Sequence, residues 1–151
     1  MKKIIIQLDK STLLIKRGDA FKLNLSHNDL YEVKEENDSL IIKETKKSIF
    51  KKARVELVVN NKLDSLDVIC TNDIELEDIE VVQLNIKGDT NDIELKNVTS
   101  VISNISTTIG DVYIKSSKIE QLAINSDEGD LLINIKGNEE EYHIECAGMG
   151  D

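Results

Sequence analysis

The six residues Thr-Asn-Asp-Ile-Glu-Leu occupy positions 71–76 and recur at positions 90–95. Self-similarity at a fixed period is the mark of a stacked repeat, and the period outlasts the identical copies. Asp73-Ile74, Asp92-Ile93, Asp111-Val112 and Asp130-Leu131 follow one another at nineteen-residue steps. A second apolar residue stands two positions on in each copy, as Leu76, Leu95, Ile114 and Ile133. Upstream lies another pair with the same spacing: Leu66/Val68, Leu84/Ile86, Ser103/Ile105 and Leu122/Ile124. Spacing by two is the period of a strand, so each unit reads as two short strands joined by turns.

One such unit has too few apolar residues to bury its own face, whereas stacked units bury a continuous one. The expected fold is all-β: a small parallel β-solenoid with coils of nineteen residues, each about 4.8 Å above the last. Ile74, Ile93, Val112 and Leu131 then form one interior column, and Leu76, Leu95, Ile114 and Ile133 the next. The residue before each Asp is Asn72, Asn91, Gly110 or Gly129, and both types tolerate positive φ, so a tight left-handed turn is expected there. A further column is made of small residues, Cys70, Gly88, Thr107 and Ser126. A looser fifth copy, Tyr142/Ile144, would continue that column at Cys146. Cys70 and Cys146, as corner residues several coils apart, are expected to be unpaired.

Residues 1–60 lack the clean period but read as strands at 3–8, 12–16, 21–25, 30–34, 39–43 and 54–59. Asn37-Asp38 would close a hairpin. This stretch is read as an irregular N-terminal β cap or degenerate first coils, and 61–151 as the regular coils of the same continuous domain. The chain has a net charge of −10, which argues against nucleic acid as a partner, since binding phosphates needs basic surface. The charge is uneven. Residues 1–54 hold 13 Lys and Arg against 8 Asp and Glu. No secretory leader or apolar span is visible, so a cytoplasmic protein is expected, or a cell-surface one if a leader precedes this sequence.

Aligned corners of the N-D-I-x-L and G-D-V-x-I type, following an alternating strand such as 55–59, resemble the bacterial "putative adhesin" domains of unknown function over residues 30–151. That family is built of β-solenoids with recurrent G-D-I-x-I corners, and Asn72 and Asn91 stand where it has glycine. The resemblance implies a single-chain solenoid without known enzymatic activity. Some relatives accompany envelope-stress systems. No catalytic residue is defined for the family, and none is carried over.

Four features invite a chemical reading. Asp73, Asp92, Asp111 and Asp130 stack as a ladder. Neighbouring carboxylates repel by about 1 kcal/mol in water and about 3–4 kcal/mol at an effective dielectric of about 20. A calcium ladder would relieve this. The preferred reading is that each Asp accepts a backbone N–H at its turn. Lys46, Lys47, Ile49, Phe50, Lys51 and Lys52 could insert Phe50 at an anionic membrane or partner, at roughly 1 kcal/mol per lysine. The plainer alternative is a solvated connection with Phe50 on the core. Arg17-Gly18-Asp19 is explained by a turn. His27 and His143 lack zinc spacing, and no phosphate loop, dinucleotide fingerprint or nucleophile motif is present, so neither a catalytic residue nor a cofactor is assigned.

The function expected is a non-enzymatic structural or protein-interaction module of a bacterium, with an unidentified protein partner, as a monomer or weak dimer. The alternatives are a self-assembling scaffold and a peripheral membrane sensor using the 46–52 segment. Glu139, Glu140 and Glu141 are expected to keep the C-terminal end from stacking through like charge.

Overall fold

The computed structural model describes residues 2–46, 53–135 and 143–148. Lys47, Ile49, Phe50, Lys51, Lys52 and the Glu139–Glu141 run lie outside them. The described strands are β1 (Lys3–Leu8), β2 (Thr12–Arg17), β3 (Lys22–Leu25), β4 (Tyr31–Glu36), β5 (Ser39–Glu44), β6 (Arg54–Val59), β7 (Leu63–Cys70), β8 (Ile74–Glu77), β9 (Glu80–Lys87), β10 (Ile93–Lys96), β11 (Thr99–Ile109), β12 (Val112–Glu128), β13 (Leu131–Ile135) and β14 (His143–Gly148).

They form a single folded sheet with two faces. The long-strand face runs β4-β5-β1-β7-β9-β11-β12-β14, and the short-strand face runs β3-β6-β2-β8-β10-β12-β13. β12 serves both faces because it bends at Ser116, where φ is 53°. Its first residues pair with β10 and its later ones with β11. From β7 onward each coil is one long strand, a corner, one short strand and a second corner, paired in parallel with its neighbours.

The expected columns are present. Ile74, Ile93 and Val112 lie in register, as do Leu76, Leu95 and Ile114, and all are buried. Leu66, Leu84, Ser103 and Leu122 form a third column and Val68, Ile86, Ile105 and Ile124 a fourth. Aliphatic and β-branched side chains suit this interior because each must pack on a like neighbour one strand spacing away. Ser100 and Ser103, two of the buried polar residues of the stack, satisfy one another at 2.5 Å between their hydroxyl oxygens. At the last coil Leu131, Ile133 and Ile135 are only half-buried.

The two corners are built differently, and the expected backbone at one of them is corrected. Gly110 and Gly129 have φ of 148° and 137°. A Cβ on Gly110 would stand 1.7 Å from the Asn91 carbonyl oxygen. Asn72 and Asn91, by contrast, are not left-handed; they hold the corner with their side chains. Asn91 Nδ2 donates to the Asn72 carbonyl at 2.8 Å, while Oδ1 accepts from Asp89 N at 3.1 Å and Thr107 Oγ1 at 2.8 Å. Asn72 Nδ2 repeats the downward bond to the Lys10 carbonyl at 2.9 Å. The non-glycine left-handed residues of the coils are instead Asp78, Asn97 and Ser116, at the second corner and again nineteen apart.

The fifth copy is also shifted from its expected place. Leu122 pairs with Ile144, Ile124 with Cys146 and Ser126 with Gly148. By register Cys146 stands opposite Ile124 rather than Ser126, and Gly148 takes the position opposite Ser126. Register partners here are twenty-two residues apart rather than nineteen, so the expected Tyr142/Ile144 placement is off by two residues. Cys70, buried, is free, and its thiol is pushed up to about 12 by burial.

The first two strands sit inside the stack. β1 pairs in parallel with β5 on one side and β7 on the other, and β2 pairs with β6 and β8. Antiparallel β3 and β4 lie outermost on the two faces. Asn37 and Asp38, with φ of 47° and 67°, close the β4–β5 hairpin in the backbone form that two left-handed residues favour. The β1–β2 corner is clasped from β5. Glu44 accepts Lys10 N and Ser11 N at 3.1 Å each and the Ser11 hydroxyl at 2.5 Å. Tyr31 also bonds the Ser11 hydroxyl, and burial raises its phenol above the ordinary value.

Two adjacent residues test the inward assignment. Ile93 is fully buried, whereas Glu94 makes surface ion pairs with Lys96 at 3.4 Å and Lys115 at 3.3 Å. Ile93→Asp should cost at least about 3 kcal/mol and Glu94→Lys no more than about 1 kcal/mol. Thermal melts of both variants beside the parent check this.

Candidate interaction surfaces

With aliphatic columns filling the interior, the chain's polar chemistry lies at the corners and on the outer faces. The four aspartates do form a column along one corner. The carboxylates of Asp73, Asp92 and Asp111 each reach to the next coil rather than closing their own turn. Asp73 Oδ1 accepts Asp92 N at 3.0 Å, Asp92 Oδ1 accepts Asp111 N at 2.9 Å, and Asp111 Oδ1 accepts Asp130 N at 2.8 Å. The preferred sequence reading, an N–H acceptor, is right in kind and wrong in place, because the parallel stack sets an unpaired N–H directly beside each carboxylate.

Tyr113 adds an O–H bond to Asp111 Oδ2 at 2.9 Å. The Asp130 N–H and this hydroxyl hold the Asp111 carboxyl below its ordinary value of 3.8. Among the described residues no three His, Cys, Asp or Glu gather closely enough to hold a metal ion. A cleft of about 350 Å³ beside the ladder is lined by Leu14, Arg54, Glu75, Asp92, Glu94 and Tyr113.

On the short-strand face Lys96 reaches Glu75 at 3.5 Å and Glu77 at 3.8 Å in addition to Glu94. The carboxylates raise the Lys96 ammonium, Glu94 most, and a hydrogen bond with Glu75 raises the Glu77 carboxyl. These exposed pairs trim the acidic charge without contributing much stability.

The long-strand face carries a different feature, a shallow groove of about 520 Å³ across four coils. Outward residues Asp67, Asn85 and Asn104 are register partners and form a directed line. Asn104 Nδ2 donates to Asn85 Oδ1 at 3.0 Å, and Asn85 Nδ2 donates to Asp67 Oδ1 at 2.7 Å. The next position up is Ala123, so the line stops and Asn104 Oδ1 is left as its open acceptor. Ile69, 47% exposed, Lys87 and Asn125 also line the groove. The sequence reading missed this surface. Its signal is an amide at 85 and 104 between two apolar columns, visible only once the columns are aligned.

Of the other residues singled out, Lys46 is exposed just beyond β5, and its companions lie outside the described residues. Arg17 ends β2 and pairs with Glu80 at 3.7 Å; Gly18 N donates to the Val59 carbonyl at 3.0 Å. The Arg17-Gly18-Asp19 tripeptide thus marks the point where the chain leaves the stack.

The Asp111 bonds set a pH response. A carboxylate titrating below its ordinary value stabilises the fold above about pH 4, and that stability is lost as pH falls through the native value. Asp111→Asn should reduce the acid-induced fall in melting temperature between about pH 5 and pH 2, read by circular dichroism. Calcium should leave the melting temperature at neutral pH unchanged if the N–H groups occupy the ladder; a specific site would raise it by mass action.

No match is found among curated proteins. Among solved structures the chain is similar to a protein from Clostridium sporogenes described as a "putative cell adhesion protein". The match has 13% identity and a TM-score of 0.54, and covers 99% of this chain and 92% of the other. At that identity the likeness is one of fold. No helix among the described residues is long and apolar enough to cross a membrane. The Toastrack DUF4097 family model matches residues 1–148, nearly the whole of the parallel stack, and the chain belongs to that family of domains of unknown function.

Proposed function

We propose that this chain is a non-enzymatic interaction module that presents the groove of its long-strand face to a protein partner. The observation that carries this reading is the amide line ending at Asn104. Asp67, Asn85 and Asn104 are fixed at one strand spacing by the coils beneath them, so the face is organised before binding, which lowers the ordering cost of association. The open Asn104 acceptor, the Ala123 gap and exposed Ile69 together give a polar anchor beside apolar area. The family's adhesin-like character and the adhesion name of the Clostridium protein support an interaction role over a catalytic one.

A self-stacking scaffold needs two open ends. Here one end is closed by antiparallel β3 and β4, and β4 carries exposed Glu32, Lys34, Glu35 and Glu36, the kind of charged edge that resists strand addition. That favours the discrete module. The membrane alternative rests on the 46–52 segment and is tested by sedimentation with anionic liposomes.

The docking face is tested with a partner captured from the source organism and then purified. Asn104→Arg, placed in the groove, should weaken its binding at least about tenfold, a change of about 1.4 kcal/mol. Lys96→Glu, on the opposite face, should leave it within about twofold. Equal effects from the two variants, measured by calorimetry, would overturn the groove assignment.

A further inference from the structure

The segment holding β1 and β2 comes before every other strand in the chain yet lies in the interior of the sheet. Ile4 is paired with Leu40 on one side and Leu66 on the other, and Leu13 with Val55 and Ile74. Ile4, Ile6, Leu8, Leu13 and Ile15 are all 4% exposed or less. The chain leaves the stack at Gly18, builds the end strands, and re-enters at β7 on the far side of β1. Residues 18–62 are thus an excursion whose two ends meet, as the Gly18–Val59 backbone bond records. Between β5–β6 and β7–β8 the rest of the chain leaves a slot with two open parallel edges and matching apolar columns on both sides.

We propose that this slot accepts the β1–β2 pair of a second copy of the chain, giving a closed, two-fold strand-exchanged dimer. Every pairing in the slot is the same whether the pair comes from its own chain or from a partner, so exchange alters only the 18–21 link, and swapping an identical element is a low-cost route to a dimer. The occupant is specified by more than apolarity. Five aliphatic side chains must meet their columns in register, Asn72 must find the Lys10 carbonyl, and Glu44 must find the Lys10 and Ser11 N–H groups. Only this chain's own first residues supply that set.

The route is built into the order of the chain. The pair is synthesised before its slot, which is incomplete until residues 63–77 exist, so the pair lacks one set of neighbours while they are made. The link is short and begins with a glycine, whose N–H makes a single backbone bond to give up. Exchange also leaves the antiparallel end strands and the outer groove untouched, so a dimer would display two copies of the same docking face and gain from their joint engagement.

Cross-linking between full-length chains tests this. Lys3 and Ser65 are outward-facing register partners on β1 and β7, at a separation a disulfide spans. Lys3→Cys and Ser65→Cys chains are mixed, unfolded, refolded together and oxidised over a range of concentrations up to roughly 1 mM, the effective concentration of a short flexible link. The expected result is a covalent heterodimer joined between positions 3 and 65, identified by peptide mass, whose yield rises with concentration. The chain carrying both substitutions, refolded dilute, should cross-link internally. The parent, cycled identically, reports any link made by Cys70 or Cys146. If the double variant closes internally while the mixed chains give no heterodimer at the highest concentration, exchange does not occur. Ile5→Cys with Asp67→Cys, the next outward pair in the same register, repeats the test should the first pair fail to fold.

Discussion

In-register parallel pairing between coils is the constraint on which everything else in this molecule rests. From β7 onward each strand finds its backbone partners in the coils above and below, not within its own coil. A column such as Ile74-Ile93-Val112 is therefore a consequence of the hydrogen-bond register as much as of hydrophobicity. The same register spaces the outer groups, which is why Asp67, Asn85 and Asn104 can share a line of hydrogen bonds and why Lys96 reaches carboxylates on two coils. A one-residue slip would turn every aliphatic outward, so the interior and the exposed faces are specified together.

The corners show how the stack is closed without prolines. One corner is made by left-handed Asp78, Asn97 and Ser116. The other changes its chemistry along the axis. Lower down, Asn72 and Asn91 clamp the carbonyl of the coil beneath; higher up, Gly110 and Gly129 leave room for a carbonyl to approach. The carboxylates of Asp73, Asp92 and Asp111 are drawn into the same task, each taking the N–H that the next corner leaves unpaired. A row of like charges is tolerated because these bonds hold it in place at the surface, where the mutual repulsion is only about 1 kcal/mol. The row is therefore structural in its geometry, whatever its charge attracts.

The stack's ends and faces divide the labour. Antiparallel β3 and β4 close one end, and the aliphatic columns occupy the inside, so the polar groups open to another molecule lie on the outer faces. Of these, the short-strand face spends its charges in mutual ion pairs, while the long-strand face keeps an open acceptor beside exposed apolar area. That asymmetry is the physical basis for proposing the latter as the docking face.

The sequence by itself determined the coil: its period, its inward residues, the Asn37-Asp38 hairpin and most strand positions, because a two-residue alternation repeated every nineteen leaves little choice of which side faces in. It also brought the four aspartates into one column. Only the tertiary structure decided what they bond, since the N–H that Asp73, Asp92 or Asp111 accepts belongs to a residue nineteen positions away. Asn91 likewise looked like a left-handed turn residue until its carbonyl and hydroxyl partners were in place. The amide line of the groove was hidden because its members become neighbours only across coils. The seating of β1 and β2 in the middle of the sheet was hidden most completely, because local pattern specifies that a segment is a strand and which way it faces, whereas the choice of neighbours is settled by which long-range pairing buries the most.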